Sequence, residues 1–337
     1  MNGEGFKVMV ITVAVNNNKF TSGYAMPTFS VIMNCLNGER FVREAIESVF
    51  HQTFKDWEII FFDNGSTDKS VEIAASYGER VKIFTLDKPV ALGQARQEAV
   101  DKATGEFLAF LDVDDVWLPF KLEMQYAAMK DGEFDICYGG IQCVDEQGNS
   151  LHKIIPIHST GSLFKKFLAH VEGGWCTYVI NRKRLIEKGT RFNPILRSSC
   201  EEDMVLSFLA YDGTGVIIKE IISKYRIVSG SVTSFYSDRL AAERFETLNR
   251  LVREYPDIKS KYAREFEQTE ARGHYYQARF LFDSSKVNEA RDAMKLAASL
   301  DKKFRVMELL IRLPFIWRVS HRFKGYLTPL WLKYSSI

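Results

Sequence analysis

No run of 18 apolar residues occurs anywhere in the 337-residue sequence, which excludes an evident membrane-spanning helix. The early apolar stretch VMVITVAV at 8–15 is too short to span a bilayer. It also lacks the basic leader and small-residue cleavage site of a signal peptide. A β-branched strand, added at a sheet edge or left as a loose arm, is the expectation there. Cysteine is scarce: Cys35, Cys137, Cys143, Cys176 and Cys200 are odd in number and scattered, and no CxxC pair or Cys/His spacing suggests zinc. Buried, reduced thiols in a reducing cytoplasm are expected. Net charge is nearly absent, at +2 from 45 basic and 43 acidic residues. That balance argues neither for nor against nucleic acid, and no such partner is expected. A phosphate-cradling glycine loop is missing too: NCLNGER (34–40) matches neither G-x-G-x-x-G nor G-x-x-x-x-G-K-[ST]. This argues against a dinucleotide dehydrogenase or a P-loop enzyme.

What the sequence does have is an ordinary globular composition, 46% hydrophobic and 26% charged, long enough for one large domain and an appendage. Charge is unevenly spread. Residues 302–337 hold eight Lys/Arg and one acid, Glu308, giving +7 and leaving −5 on the rest. From Thr28 the pattern becomes regular. TFSVIMN (28–34) reads as a strand, and RFVREAIESVF (40–50) as a helix with Phe41, Val42, Ala45, Ile46, Val49 and Phe50 on one face. WEIIFFD (57–63) is a second strand, KSVEIAASYG a helix closed by Gly78, VKIFTL (81–86) a third strand, GQARQEAVDKATG (93–105) a helix and EFLAFLD a fourth strand. This alternation predicts an α/β domain with a largely parallel, buried sheet.

Ligands collect at the carboxyl ends of such strands. Three ends carry polar residues: Asn34 with Asn37, then Asp63 and Asn64 opening NGSTD, then Asp112, Asp114 and Asp115 in FLAFLDVDDVW. Like charges this close repel, and burial raises the cost. A divalent cation, Mg2+ or Mn2+, held by Asp112 and Asp114 would offset the repulsion and share its shell with a substrate phosphate. The competing reading is a cap for a helix over 118–130, with Asp115 as cap and Pro119 in the first turn.

These residues, in this order, resemble the inverting nucleotide-sugar glycosyltransferases of family 2. The resemblance covers about a hundred residues, through FSVIMNCLNGERFVREAIESVFHQTFKDWEIIFFDNGSTDKS and LGQARQEAVDKATGEFLAFLDVDDVWLPFKL. It implies a GT-A fold: a Rossmann-like, mostly parallel sheet with helices on both faces. It also implies that Asp63 binds the nucleotide base, that Asp112 lies near ribose and metal, and that Asp114 binds the metal. The loop holding Gly93 and Arg96 would lie against the nucleotide. Asn64 stands where relatives often have a second Asp, and Gln97 where they often have Asn. By the same resemblance, SSCEEDMVLSFLAYDG (198–213) supplies an acidic pair with Asp203 as general base and Glu202 beside it. A carboxylate must face the acceptor hydroxyl, since an alcohol is a poor nucleophile until its proton is being removed. Three acids at a helix N-terminus also suit the helix dipole.

KYRIVSGSVTSF (224–235) resembles the segment that closes over the diphosphate in relatives, with Arg226 as a phosphate partner or, on the competing reading, a surface Arg with no role, and Val228 where relatives have a His. By the same resemblance GGWCTYVINRKRL (173–185) lies where relatives shape the acceptor side, and Trp175 reads either as a flat platform for a sugar ring or as core packing. His158 and His170 are isolated and read as structural or solvated. The expected division is an N-terminal extension over 1–27, a catalytic domain over 28–236, a helical, weakly tetratricopeptide-like region over 237–300 and a basic aromatic tail over 301–337. The tail would suit peripheral contact with an anionic membrane. The resulting expectation is a metal-dependent, inverting transferase acting in the cytoplasm or on the cytoplasmic face of the inner membrane. It would move a sugar from a UDP-sugar to a glycan or lipid-linked acceptor. The alternatives are a non-catalytic nucleotide- or partner-binding module working through its helical C-terminal region, and a nucleotidyltransferase, for which NCLNGER is a poor first loop.

Overall fold

The structure, a computed structural model, describes residues 9–10, 26–228 and 239–317. Its described residues fall into two compact units, one within Met1–Phe167 and Val171–Ser231, the other within Leu168–His170 and Val232–Ile337.

The first unit begins with the strand–helix alternation read from the sequence: β1 Met9–Val10, β2 Phe29–Cys35, α1 Val42–Phe50, β3 Trp57–Asp63, α2 Ser70–Ala75, β4 Val81–Thr85, α3 Leu92–Val100 and β5 Phe107–Phe110. Then follow β6 Val116–Trp117, α4 Lys121–Met129, β7 Ile136–Val144, β8 Ser150–Ile154, β9 Gly161–Ser162, α5 Phe164–Ala169, β10 Val179–Asn181, α6 Arg182–Glu187, α7 Cys200–Leu209 and β11 Thr214–Arg226. All eleven described strands join one sheet in the order β1-β4-β3-β2-β5-β10-β7-β11-β6, with β8 on β7 and β9 on β11. The pairings β2/β3, β3/β4, β2/β5 and β7/β11 are parallel, and the others are antiparallel. Every residue of β2 and β3 is buried, as a strand covered on both faces requires. Val42, Ala45, Ile46 and Val49 are the buried apolar face of α1, as the periodicity predicted.

The described part of 8–15 is an edge strand: Met9 and Val10 pair antiparallel with Thr85 and Phe84. All five cysteines are free and buried. The capping reading of Asp115 fails. The helix after DVDDVW begins at Lys121, its N-cap position is Phe120 with no side-chain cap, and Val116–Trp117 form a strand against β11 instead.

At the amino ends of the strands, opposite the site, Glu58 on β3 is buried. It accepts from Ser30 Oγ (2.6 Å), Thr104 Oγ1 (2.8 Å) and Thr104 N (3.1 Å) and pairs with Lys82. Burial alone would raise its pKa, but Lys82, Ser30 and Thr104 outweigh it and hold the carboxyl below its ordinary value. One buried carboxylate thus ties β2, β3, β4 and the turn before β5 together.

The second unit is helical: α8 Leu240–Glu254, α9 Ile258–Lys261, α10 Ala263–Asp283, α11 Val287–Leu300 and α12 Arg305–Leu310. Ala271, Ala278, Ala290, Ala293, Ala297 and Ala298 let its helices approach closely around Tyr275, Phe282, Met294 and Trp317.

Candidate active site

The carboxyl ends of β2, β3 and β5 form the floor. Parallel register sets Cys35 beside Asp63, and Leu111 N donates to Ile32 O, so residues 34, 63 and 112 sit at neighbouring strand ends. The loops above them are zipped together by side chains. Asn37 N donates to Ser66 Oγ (2.8 Å), Gly38 N to Ser70 Oγ (2.8 Å) and Glu39 N to Asp68 Oδ2 (2.9 Å), while Thr67 N donates to Asn37 Oδ1 (2.8 Å). Asn37 has a left-handed φ of 55°, which Asn tolerates. The polar cluster NGSTD therefore holds the first loop in place.

Asn64 does a similar job. Its Oδ1 accepts from Val90 N (2.9 Å) and its Nδ2 donates to Val90 O (3.1 Å), so its amide fixes the 86–91 wall. Gly93 is required by close approach. Its N–H donates to Leu196 O (2.9 Å), and a Cβ there would meet Asn193 O at 2.0 Å.

Several buried polar atoms at this edge have no hydrogen-bond partner. Asp63 Oδ2 accepts from Ser66 N (3.0 Å) while Oδ1 is unmatched, and Asn34 Nδ2 donates to Ala95 O (3.0 Å) while Oδ1 is unmatched. Arg96 joins Asp112 Oδ1 (2.9 Å) and Glu201 Oε1 (2.6 Å) through one Nη and leaves Nε and Nη1 unmatched. Burial would lower the Arg96 pKa, but Glu201 and Asp112 together hold it above its usual value. Native proteins rarely leave such atoms unsatisfied, so a cluster of them marks a place for a polar ligand.

The aspartates of DVDD divide by environment. Burial, then Asp112, pushes the Asp114 carboxyl up to about 6. Asp115 is wholly buried and raised further by burial, Asp114 and Asp112. Its Oδ1 accepts from Arg226 N (2.8 Å). Among the described residues no group of three or more His, Cys, Asp and Glu side chains forms a metal shell. Asp112 and Asp114 still fit a hard divalent cation, because they are oxygen donors whose mutual repulsion a positive ion relieves, with substrate phosphate and water left to complete the shell.

Trp175 is half-buried against Phe110 (4.3 Å between centroids) and Tyr178 (5.2 Å), with the Arg96 guanidinium 5.4 Å from its ring. Its Nε1 is buried with no partner. The acidic triplet opens α7. Glu201 reaches Arg96, Glu202 is half-buried, and Asp203 is wholly buried. Glu202 also helps raise the Tyr178 phenol, after burial and Glu172. His158 is less isolated than expected, with Nε2 3.9 Å from Glu172, whose carboxylate also accepts from Ile157 N, His158 N and Tyr138 Oη.

Arg226 is no loose surface side chain. It is 5% exposed, with its donors spent inside the protein on Asp114 O, Glu44, Asp145 O and Glu146 O. Sequence reasoning missed Glu201 as the link to Arg96 and Glu44 as the link to Arg226. The triplet itself hinted at the first. No sequence signal marks a pair 182 residues apart. Residues 229–235 of the segment beginning at Lys224 lie outside the described residues.

The mixed, largely parallel sheet, its covering helices and the acidic turn at its carboxyl edge make an α/β fold of the GT-A class. The chain belongs to glycosyl transferase family 2, whose model matches residues 30–189. It is 30% identical over 212 residues to the putative teichuronic acid biosynthesis glycosyltransferase TuaG of Bacillus subtilis, covering 62% of this chain and 82% of that protein. It is 29% identical over 210 residues, 61% of this chain and 79% of the relative, to the Escherichia coli UDP-Glc:alpha-D-GlcNAc-diphosphoundecaprenol beta-1,3-glucosyltransferase WfgD. The fold is similar to that of S. aureus TarS 1-349 in complex with UDP-GlcNAc, at a TM-score of 0.62 and 19% identity, covering 89% and 93% of the two chains.

Proposed function

We propose that this transferase moves a sugar from a UDP-sugar to a hydroxyl of a glycan or lipid-linked acceptor, with inversion at the anomeric carbon. The observation that carries this reading is the set of buried, unmatched polar atoms at the strand ends. Asp63 Oδ1 and Asn34 Oδ1 are acceptors awaiting N–H or O–H groups, and Arg96 Nε and Nη1 are donors awaiting oxygens. A uracil imide and a ribose diphosphate supply that complement. The donor named for WfgD and the ligand in the TarS complex are both UDP-linked sugars, which supports the choice of base.

Asp112 and Asp114 would hold Mn2+ or Mg2+, which when bound neutralises the diphosphate and stabilises it as a leaving group. Arg96 holds Asp112 in place from beneath, and Trp175 offers its ring to the transferred or accepting sugar. The pair Glu202 and Asp203 supplies the base that takes the acceptor proton as its oxygen attacks. The retention of Asp114 together with this pair disfavours a non-catalytic binding module. The test is calorimetry with UDP, GDP and TDP, with and without Mn2+. UDP should bind tightest, depend on metal, and lose at least tenfold in affinity in Asp63→Ala. Equal affinity for all three, or none for any, would sink the assignment.

Peripheral membrane contact through the C-terminal tail is part of the same proposal. Val306, Leu309, Leu313, Phe315 and Ile316 are exposed, Phe315 by 79%, beside exposed Lys302, Lys303, Arg305 and Arg312. No helix among the described residues is long and apolar enough to cross a membrane, and 318–337 lie outside them. Apolar side chains flanked by cations suit an anionic interface. The protein should co-sediment with phosphatidylglycerol vesicles and not with phosphatidylcholine ones, and Phe315→Asp should abolish this. Indifference to lipid charge and to the substitution would remove the membrane from the account.

A further inference from the structure

We infer that Arg226 is a positioning residue that sets the aim of Asp114, and that it is not a contact for the substrate diphosphate. The inference rests on the proposed donor site and extends it to a residue 112 positions along the chain from that carboxylate.

The reasoning begins with where the DVDD turn is anchored. Its amino end continues β5, inside the parallel sheet. Its carboxyl end enters β6, a strand of only two residues, whose Val116 and Trp117 pair with Lys224 and Ser223 of β11. Ser223 Oγ adds a bond to Val116 O (3.1 Å). The turn between these anchors would otherwise rest on a short ladder carrying three like charges.

Two residues past that ladder, Arg226 closes a reciprocal pair of bonds on the turn. Arg226 Nε donates to Asp114 O (2.8 Å), while Asp115 Oδ1 accepts from Arg226 N (2.8 Å). The side chain of one strand end holds the backbone of the turn, and the side chain of the turn holds the backbone of the strand end. Both carbonyl and carboxylate are therefore fixed on either side of the Asp114 side chain.

The rest of the guanidinium ties this lock to two further elements. Nη2 pairs with Glu44 of α1 (2.6 Å), and Nη1 reaches Glu146 O (3.3 Å) and Asp145 O (3.5 Å) in the β7–β8 turn. The ring of Phe41 lies 4.7 Å from its charge centre. Glu146 in turn pairs with Arg40 (2.5 Å). A planar fork with five N–H donors can serve a carbonyl, a carboxylate and a second turn at once, and a lysine ammonium cannot reproduce that geometry. These four acceptors take most of the guanidinium's donors on a residue only 5% exposed, which commits the fork to the fold. A loosely held ligand carboxylate loses affinity and rate through misplacement alone.

Arg226→Lys keeps the charge and removes the fork. Glu44→Gln, at a carboxylate 54% exposed, loosens the fork with little risk to folding. Hydrogen exchange at the amides of Asp114, Asp115 and Val116 in the ligand-free protein reads positioning without reference to any substrate. We expect at least tenfold faster exchange there in Arg226→Lys and a smaller rise in Glu44→Gln, with β2 and β3 amides unchanged. UDP calorimetry adds the functional arm: affinity with Mn2+ should fall about tenfold in Arg226→Lys, while affinity without metal stays within twofold. Unchanged exchange in both variants would overturn the inference. So would an equal loss of UDP affinity with and without metal, which is the signature of a phosphate contact. If exchange rises while wild type binds no UDP with Mn2+, the positioning stands and the proposed donor site fails.

Discussion

Asp114→Asn is expected to yield a protein that melts higher than wild type in the absence of metal and turns over at least about 10²–10³-fold more slowly in its presence. Both effects come from one environment. Burial and Asp112 push the Asp114 carboxyl up to about 6, so at pH 7 the metal-free fold holds a carboxylate whose charge is less favourable than in the unfolded chain. Because the folded pKa lies above the unfolded one, this group favours folding most at low pH and loses that contribution as pH rises through about 6. An uncharged amide of the same shape removes the penalty and the ligand together. In wild type the proton and the cation compete, so Mn2+-dependent UDP binding should weaken roughly tenfold per unit below about pH 6. Thermal melts and calorimetry between pH 5 and 8 check both arms. A destabilised Asp114→Asn, or metal dependence that is flat with pH, would contradict the environment described for this carboxylate. The same inverse relation of stability and activity is common where a site stores unfavourable charge.

The second large effect concerns the acidic pair on α7. Removing the proposed base should cost about 10²–10⁴-fold in kcat while leaving UDP binding within twofold, because the proposed donor pocket does not include it. Glu202→Gln and Asp203→Asn separate the two candidates. The resemblance favours Asp203. The structure buries Asp203 wholly and leaves Glu202 half-exposed. On a helix of 3.6 residues per turn, two steps beyond Glu201 turn a side chain about 200° away from the one that grips Arg96. If Glu202→Gln carries the kcat loss and Asp203→Asn lowers mainly the melting temperature, Glu202 is the base and Asp203 a structural carboxylate. If Asp203→Asn alone carries the kcat loss, the family pattern holds. A kcat within threefold of wild type in both variants would remove α7 from the chemistry.

Much of this protein was legible in one dimension. A short, mostly apolar run such as WEIIFFD, bounded by turn residues, suits a strand covered on both faces, and β3 runs over the same seven residues that the pattern marked. The helical face of α1 followed from its spacing, and the strand ends that gather polar residues followed from topology, since parallel strands all point their carboxyl ends the same way. Those are local or periodic signals, and the sequence by itself determined them. What the tertiary structure alone decided is how the collected groups divide the work. Asn64 and Asn37, adjacent to the pocket in sequence, spend their amide oxygens on Val90 and Thr67, while Asp63 and Asn34 keep an oxygen unmatched. Asp115, which could have capped the next helix, instead holds the end of β11. The antiparallel β10 slips between β5 and β7, and Arg226 meets Glu44 across 182 residues. No spacing encodes such pairs. They exist because folding closes a sheet around charged loops whose donors and acceptors must then be satisfied by whatever the topology brings within about 3 Å.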